Sequence, residues 1–360
     1  MVTCHVSVPG SRGSWCPIHA TDPGHGPGHR SARPKSPHCP PTPVAEDSPW
    51  GVVGRTLARA GGSYPRRVST TRILASTGPL YARPLDWALG VIAEAGYDGV
   101  ELMVTQDPTT QQAEAIAAAA RTEGVEIPVV HGPFLLVTRR VFGSDLVAKA
   151  QRSLALAGEV GADTMIVHPP FRWQRNFHDW LVRESDDEAE QHGTRVGVEN
   201  LYPVSVAGRP VRFHRYTEPD HLAPFTNVVL DTSHFGVAAV DINDAYEVLR
   251  ERAIHLHVSD NRGQGRDSHA PLGHGVLPLG GFLRRVAADD TDVSITLELD
   301  CRRYLDDRAA LVGYLTQELL KCRDLLAGDD IEEVLGRPDV VAVAPGAGED
   351  DADQPTVGVR

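Results

Sequence analysis

Eight short apolar runs punctuate the middle of this chain, spaced so that a helix fits between most neighbours. They read ILAST (73–77), GVELMV (99–104), IPVVHG (127–132), TMIVHP (164–169), RVGVEN (195–200), VVLDTS (228–233), IHLHVSD (254–260) and ITLELD (295–300). Each has the length of a strand, and most are nearly continuous in apolar or β-branched residues, the pattern of strands buried on both faces. Helical patterns occupy most intervals. PLDWALGVIAEAG places Leu85, Leu89 and Ile92 on one face and stops at Gly96. SDLVAKAQRSLALAGEVGA opens with a Ser144/Asp145 cap signal and runs out at Gly161, and DDRAALVGYLTQELLKCRDLL forms a long final helix. The stretches 173–192 and 201–226 carry no clear period. Eight strands alternating with helices over about 260 residues predict a closed (β/α)8 TIM barrel spanning 68–327. A doubly wound open sheet is the competing arrangement, but no Gly-rich phosphate turn follows the first run.

The ends differ from the middle. Residues 1–67 are rich in Pro, Gly, Ser, Arg and His and lack a sustained apolar period, so a disordered tail is predicted there. The segment has no apolar stretch of the signal-peptide kind. Residues 328–360 end in GAGEDDADQPTVGVR and predict an acidic, largely disordered tail. No apolar run has the length of a bilayer span, so no membrane segment is expected. The 5 cysteines show no framework spacing, which points to a reducing, cytoplasmic compartment. The net charge is −13, and the acidity belongs to the central region as well as to the C-terminal tail. That balance disfavours a protein that holds nucleic acid mainly through its phosphates.

In a barrel of this type the working face lies at the C-terminal ends of the strands. His131, His168, Glu199, Asp231, His257 and Glu298 all fall at or near such ends, and His234 follows Asp231 by three positions. Asp267 and His269 sit in the glycine-rich loop GRDSHAPLGHG after the seventh run. Taken singly, each of the nine reads as an ordinary rim residue. Four carboxylates at one mouth, however, repel one another unless cations are present. Neutral imidazoles mixed with carboxylates are the donor set that zinc, manganese or iron selects.

VVHGPFLL, MIVHPPF, VGVENL, LDTSH, LHVSD, DSHAPLG and LELD resemble, in order, the metal motifs of the endonuclease IV and xylose isomerase-like TIM-barrel superfamily. The resemblance covers about residues 72–326. It implies up to three divalent ions, zinc above all, with manganese or cobalt as alternatives. By resemblance, His131 and His168 share a first ion with Glu199, and Asp231, His257 and Glu298 share a second with the same Glu199. A third would lie with His234, Asp267 and His269. The chain departs from the endonuclease pattern at His274, where that pattern has Glu, and long DNA-handling loops are not recognisable. Arg172, Trp173, Arg175 and Phe177 could form a stacking or phosphate patch, though an amphipathic cap over the barrel mouth is the preferred reading. The related ketose epimerases and sugar isomerases need only Glu, Asp, His and Glu, which correspond to Glu199, Asp231, His257 and Glu298. Many carry an Arg after the seventh strand; here that place offers Asp267 and His269, with Arg262 and Arg266 nearby.

Two chemistries follow. Glu199 and Glu298 could shuttle a proton between carbons of a small sugar or sugar phosphate in a metal-dependent isomerase or epimerase. Alternatively, a zinc cluster could hydrolyse a phosphoester, including at abasic sites in DNA. A metal-binding module without catalysis is the third class, and no sequence feature favours it.

Overall fold

In a computed structural model of the chain, residues 71–337 are described, apart from 134–140, 207–208, 212 and 290. The expected disordered segment 1–67 and most of the acidic tail lie outside the described residues. Eight parallel strands close into a barrel: β1 (Ile73–Ser76), β2 (Gly99–Met103), β3 (Val129–His131), β4 (Thr164–Val167), β5 (Arg195–Glu199), β6 (Val228–Asp231), β7 (Ala253–Val258) and β8 (Ser294–Leu297). Each pairs with its sequence neighbours, and β8 closes onto β1 through Ile73–Ile295 and Leu74–Thr296. All eight expected strands are present and the open sheet is excluded.

The helices are α1 (Leu85–Ala95), α2 (Ala113–Glu123), α3 (Leu146–Val160), α4 (Arg175–Arg183), α5 (Ser185–His192), α6 (Thr232–Ala238), α7 (Ile242–Leu249), α8 (Leu279–Asp289), α9 (Arg308–Leu326) and α10 (Ile331–Leu335). Their ends obey local chemistry. The Asp145 side chain caps α3 by accepting from the Ala148 N–H at 2.9 Å, and the Asp307 side chain caps α9 from the Ala310 N–H at 3.0 Å. The two stretches without a clear period resolve into α4 with α5, and into an antiparallel hairpin (Val204–Val206, Arg209–Val211) followed by a short 3-10 turn at Pro219–Leu222. The barrel unit also continues past position 327: Asp330 caps α10, whose Val334 is buried. Among the described residues, no helix is long and apolar enough to cross a membrane.

Alternation along the strands divides two interiors. Val100, Leu102, Val130, Met165, Val167, Val196, Val198, Leu230, Leu256, Val258, Ile295 and Leu297 point outward into the core shared with the helices. Leu74, Val129, Ile166 and Val229 form a separate apolar cluster. They belong to the other phase of their strands and so face the barrel axis. One step further along that inward phase brings Ser76, His131, His168, Glu199 and Asp231. The apolar plug therefore supports the polar mouth directly above it.

Candidate metal centre

The inward phase of β5 ends at Glu199, which is buried at the mouth with its two carboxylate oxygens facing different neighbours. Oε2 lies 3.3 Å from His131 Nε2 and 3.4 Å from His168 Nε2. Oε1 lies 3.0 Å from His257 Nδ1. His257 Nδ1 is in turn 3.3 Å from Glu298 Oε2 and 3.6 Å from Asp231 Oδ2. Donor atoms of Glu199, Asp231, His257 and Glu298 all lie within 4.8 Å of one another, as do those of His131, Glu199 and His257. A third cluster joins His234, Asp267 and His269: Asp267 Oδ2 stands 3.3 Å from His234 Nε2 and 2.8 Å from His269 Nε2. All nine sequence-identified residues thus lie at one mouth; His131 clusters with Glu199 and His257, whereas His168 stands beside Glu199 outside the donor clusters.

Local structure aims each donor. Asp231 ends β6 and also caps α6, its Oδ1 accepting from the His234 N–H at 2.7 Å. That leaves Oδ2 toward the cluster, and among the described residues this buried atom has no hydrogen-bond partner. His234 Nδ1 sits 2.9 Å from the Asn200 carbonyl, so Nε2 turns to Asp267. His131 Nδ1 is likewise 2.9 Å from the Gly132 carbonyl, leaving Nε2 for Glu199. Asn200 ties the two strand ends together, accepting from the Asp231 N–H and donating to the Asp231 carbonyl.

The ligand loop is fixed from below by Asp260. Its carboxylate accepts from the N–H groups of Asn261, Gly273, Gly275 and Leu277 at 2.8–3.2 Å. A β-bridge between Asp260 and Ala270 holds the near end. From α9, Glu318 accepts from the Leu272 N–H at 2.7 Å and pairs with Lys321 at 2.8 Å, both side chains being buried. His269 adopts φ 38°, an unfavourable conformation for a non-glycine residue and one that such support makes tolerable.

Burial and charge set the protonation pattern. Burial would raise the Glu199 carboxyl, but His257 and His131 outweigh it and hold it well below the ordinary range. Burial dominates at Glu298, with Glu101 and Asp231 adding to it, and pushes that carboxyl up. Burial holds His168 down at about 3. His269 goes the other way: burial opposes its charge, yet Asp267 and Glu298 lift it to about 10.

The site suits divalent cations on three grounds. Two ligands bound about 2.1 Å from one ion at a tetrahedral angle stand roughly 3.4 Å apart, close to the spacing of His131 and His168 from Glu199. Asp231 holds toward the cluster a buried oxygen that has no hydrogen-bond partner among the described residues. The mixture of imidazole and carboxylate donors matches zinc, manganese or cobalt.

One residue escaped the sequence reading. Glu101 on β2 is fully buried, with Oε2 2.9 Å from His257 Nε2 and 3.2 Å from His255 Nε2. The signal was available: GVELM puts a charge on the inward phase of a strand buried on both faces, where it must be paired. His274 is exposed and falls in none of the donor clusters found among the described residues, and Arg262 and Arg266 are exposed as well. Of the aromatic–basic segment, Phe177 is buried in the core with Trp180, whereas Trp173 is 61% exposed and stacks on Phe171 at 5.2 Å. A cavity of about 910 Å³ opens at the opposite end of the barrel, lined by Arg72, Asp163, Arg195 and Ser294 among others. It has none of the donor clusters.

A family model described as xylose isomerase-like TIM barrel matches residues 89–319. An uncharacterized protein of Mycobacterium leprae is 30% identical over 243 residues, covering 62% of this chain and 87% of its own. A Mycobacterium tuberculosis counterpart is 29% identical with the same coverage. Among solved structures, D-psicose 3-epimerase with D-tagatose from Clostridium cellulolyticum H10 superposes with a TM-score of 0.53 at 15% identity, over 71% of this chain and 99% of that one. A D-tagatose 3-epimerase-like protein gives 0.51 at 19% identity, over 67% and 98%. At these identities the structural likeness is one of fold. Together with the closed eight-stranded barrel, the family match shows that this chain belongs to the xylose isomerase-like TIM-barrel family.

Proposed function

We propose that the chain is a divalent-metal-dependent enzyme that isomerises or epimerises a small sugar or sugar phosphate. One observation carries this reading: Glu199 and Glu298 converge on one side of His257, their oxygens 3.0 and 3.3 Å from its Nδ1. Their surroundings push the two carboxyls in opposite directions, Glu199 down and Glu298 up. Such a split suits one group to take a proton and the other to hold one. On an α-hydroxy carbonyl substrate, Glu199 removes the proton from the carbon next to the carbonyl, and Glu298 supplies a proton. Return to the opposite face of the same carbon inverts it; return to the neighbouring carbon moves the carbonyl. A divalent ion held by Glu199, Asp231, His257 and Glu298 would supply Lewis-acid stabilisation of the developing oxyanion. The sugar epimerases among the similar folds support the substrate class.

The test needs no prior choice of sugar. Full-length protein loaded with Mn²⁺, Co²⁺ or Zn²⁺ is incubated in D₂O with a panel of ketoses, aldoses and their phosphates. Deuterium entering at a carbon next to the carbonyl is read by NMR, and Glu199→Gln should abolish it. No wash-in from any sugar with any ion would sink the proposal.

A second reading, phosphoester hydrolysis, is favoured by the His234, Asp267 and His269 cluster, since a four-donor isomerase centre has no need of it. Cleavage of a chromogenic phosphodiester and of an abasic-site oligonucleotide by the zinc-loaded protein tests that reading. A further ion in this cluster would let the site spread phosphate charge over several cations.

A further inference from the structure

Glu101 neither takes nor gives a proton in the reaction proposed above, yet it touches the residue on which the centre turns. We propose that Glu101 is a positioning residue for the metal centre: it keeps the proton of His257 on Nε2 and thereby leaves Nδ1 bare toward Glu199, Asp231 and Glu298. The inference rests on the metal-centre reading above.

A neutral imidazole donates through one nitrogen and accepts through the other, and a carboxylate only accepts. His257 faces carboxylates through both nitrogens, with Glu101 Oε2 2.9 Å from Nε2 and Glu199 Oε1 3.0 Å from Nδ1. The proton can serve only one of them. Three carboxylates crowd the Nδ1 side, where a cation relieves their repulsion, whereas Glu101 is the carboxylate on the Nε2 side. The proton therefore belongs to Nε2 and the cation to Nδ1.

Glu101 is itself braced for this. Its Oε2 also lies 3.2 Å from His255 Nε2. His255 Nδ1 is 2.7 Å from Ser294 Oγ, and its Nε2 is 2.9 Å from Thr296 Oγ1. The β7–β8 ladder sets Ser294 beside His255 and Thr296 beside His257, so the backbone register holds the series in line. Among the described residues Glu101 Oε1 has no hydrogen-bond partner, so the carboxylate's hydrogen bonding runs through Oε2 to the two imidazoles. Both nitrogens of His255 already have partners, and the group is sealed beneath the mouth. This favours a brace over a further ion site. A carboxylate behind a ligating imidazole fixes the ring and raises its basicity.

The experiment titrates Zn²⁺ into chelator-treated full-length protein, wild type and Glu101→Gln, against a competing chelator. It also records ¹⁵N NMR of the histidine rings in the Zn²⁺-loaded wild type. The expected spectrum shows His257 bound through Nδ1 with a strongly deshielded Nε2 proton. Glu101→Gln should shift that proton upfield and weaken Zn²⁺ binding by about 10–100-fold. His257 bound through Nε2 overturns the proposal. So does a Zn²⁺ affinity within twofold of wild type, or loss of one whole ion from the variant with the His257 signals unchanged. Should Glu101→Gln not fold, the wild-type spectrum alone decides. Absence of Zn²⁺ uptake by the wild type overturns this inference together with the metal centre, whereas absence of sugar turnover dismisses only the reaction.

Discussion

The carboxylate of Asp260, with the Asn261 carbonyl oxygen beside it, occupies the space that a side chain at Gly275 would need: a Cβ there would collide with both. The same carboxylate accepts from the Gly275 N–H at 2.9 Å, so contact and exclusion are two aspects of one fit. Gly275→Ala should push the segment away from both the Asp260 carboxylate and the Asn261 carbonyl and loosen the loop that carries Asp267 and His269. Asp260→Ala should leave the N–H groups of Gly273, Gly275 and Leu277 without that acceptor, at a cost of about 3 kcal/mol by denaturant unfolding. Both variants should lose metal at the His234 cluster before the four-donor cluster. Full metal content and unchanged unfolding in either one would contradict the clamp.

Replacing Asp267 and His269 together with Ala separates the two chemistries. The double variant should bind one ion fewer and keep the Glu199, Asp231, His257 and Glu298 cluster filled. Under the hydrolytic reading, phosphodiester cleavage should fall on the order of a thousandfold, about 4 kcal/mol of barrier. Under the sugar reading, deuterium wash-in should persist with a milder loss, mainly in substrate affinity. Unchanged metal content would reduce the loop to a polar turn.

The third cluster should also respond to pH. His269, lifted to about 10 against the effect of its burial by Asp267 and Glu298, is protonated at neutral pH in the metal-free protein. A proton must leave before an ion can take its place, so affinity should rise with pH and loading should release protons into a weak buffer. The same elevation has a stability consequence. A group whose folded pKa is raised stabilises fully below its unfolded value, about 6.5, and that contribution fades as pH climbs through the folded value. Melting of chelator-treated wild type should therefore fall between about pH 6.5 and 10. In the double variant this part of the slope should be missing.

Lys321 and Glu318 form a buried pair that holds Leu272 by its backbone. Lys321→Met should strand the Glu318 charge and destabilise the protein by about 3–5 kcal/mol. Replacing both with apolar residues should recover part of that loss while still loosening the loop. A single variant as stable as wild type would show that the pair contributes nothing.

Much of this architecture was legible because it follows a period. Strands buried on both faces read as apolar runs, and donors at their ends fall at the mouth by topology alone, which is how His131, His168, Glu199, Asp231, His257 and Glu298 could be named. Asp267 and His269 were legible from residue type within a glycine loop. What lacked a period was harder to read. Glu101 sits in mid-strand, away from the strand ends where donors collect at the mouth, so its charge was visible but its place beside His257 was not. The Val204–Val211 hairpin is too short to show alternation, and α10 lies in a segment whose acidic composition suggested disorder. The role of Asp260 depends on four backbone N–H groups, which no sequence pattern displays.

The two oxygens of Glu199 serve different imidazoles, Oε2 those of His131 and His168 and Oε1 that of His257. One carboxylate shared in this way would make two neighbouring ions thermodynamically interdependent. The first ion to arrive would neutralise part of the negative charge that draws in the second and would repel it directly, so each would lower the affinity for the other by an equal factor. Loading of the centre should then proceed in separate steps, with a partly filled protein abundant at intermediate metal concentrations.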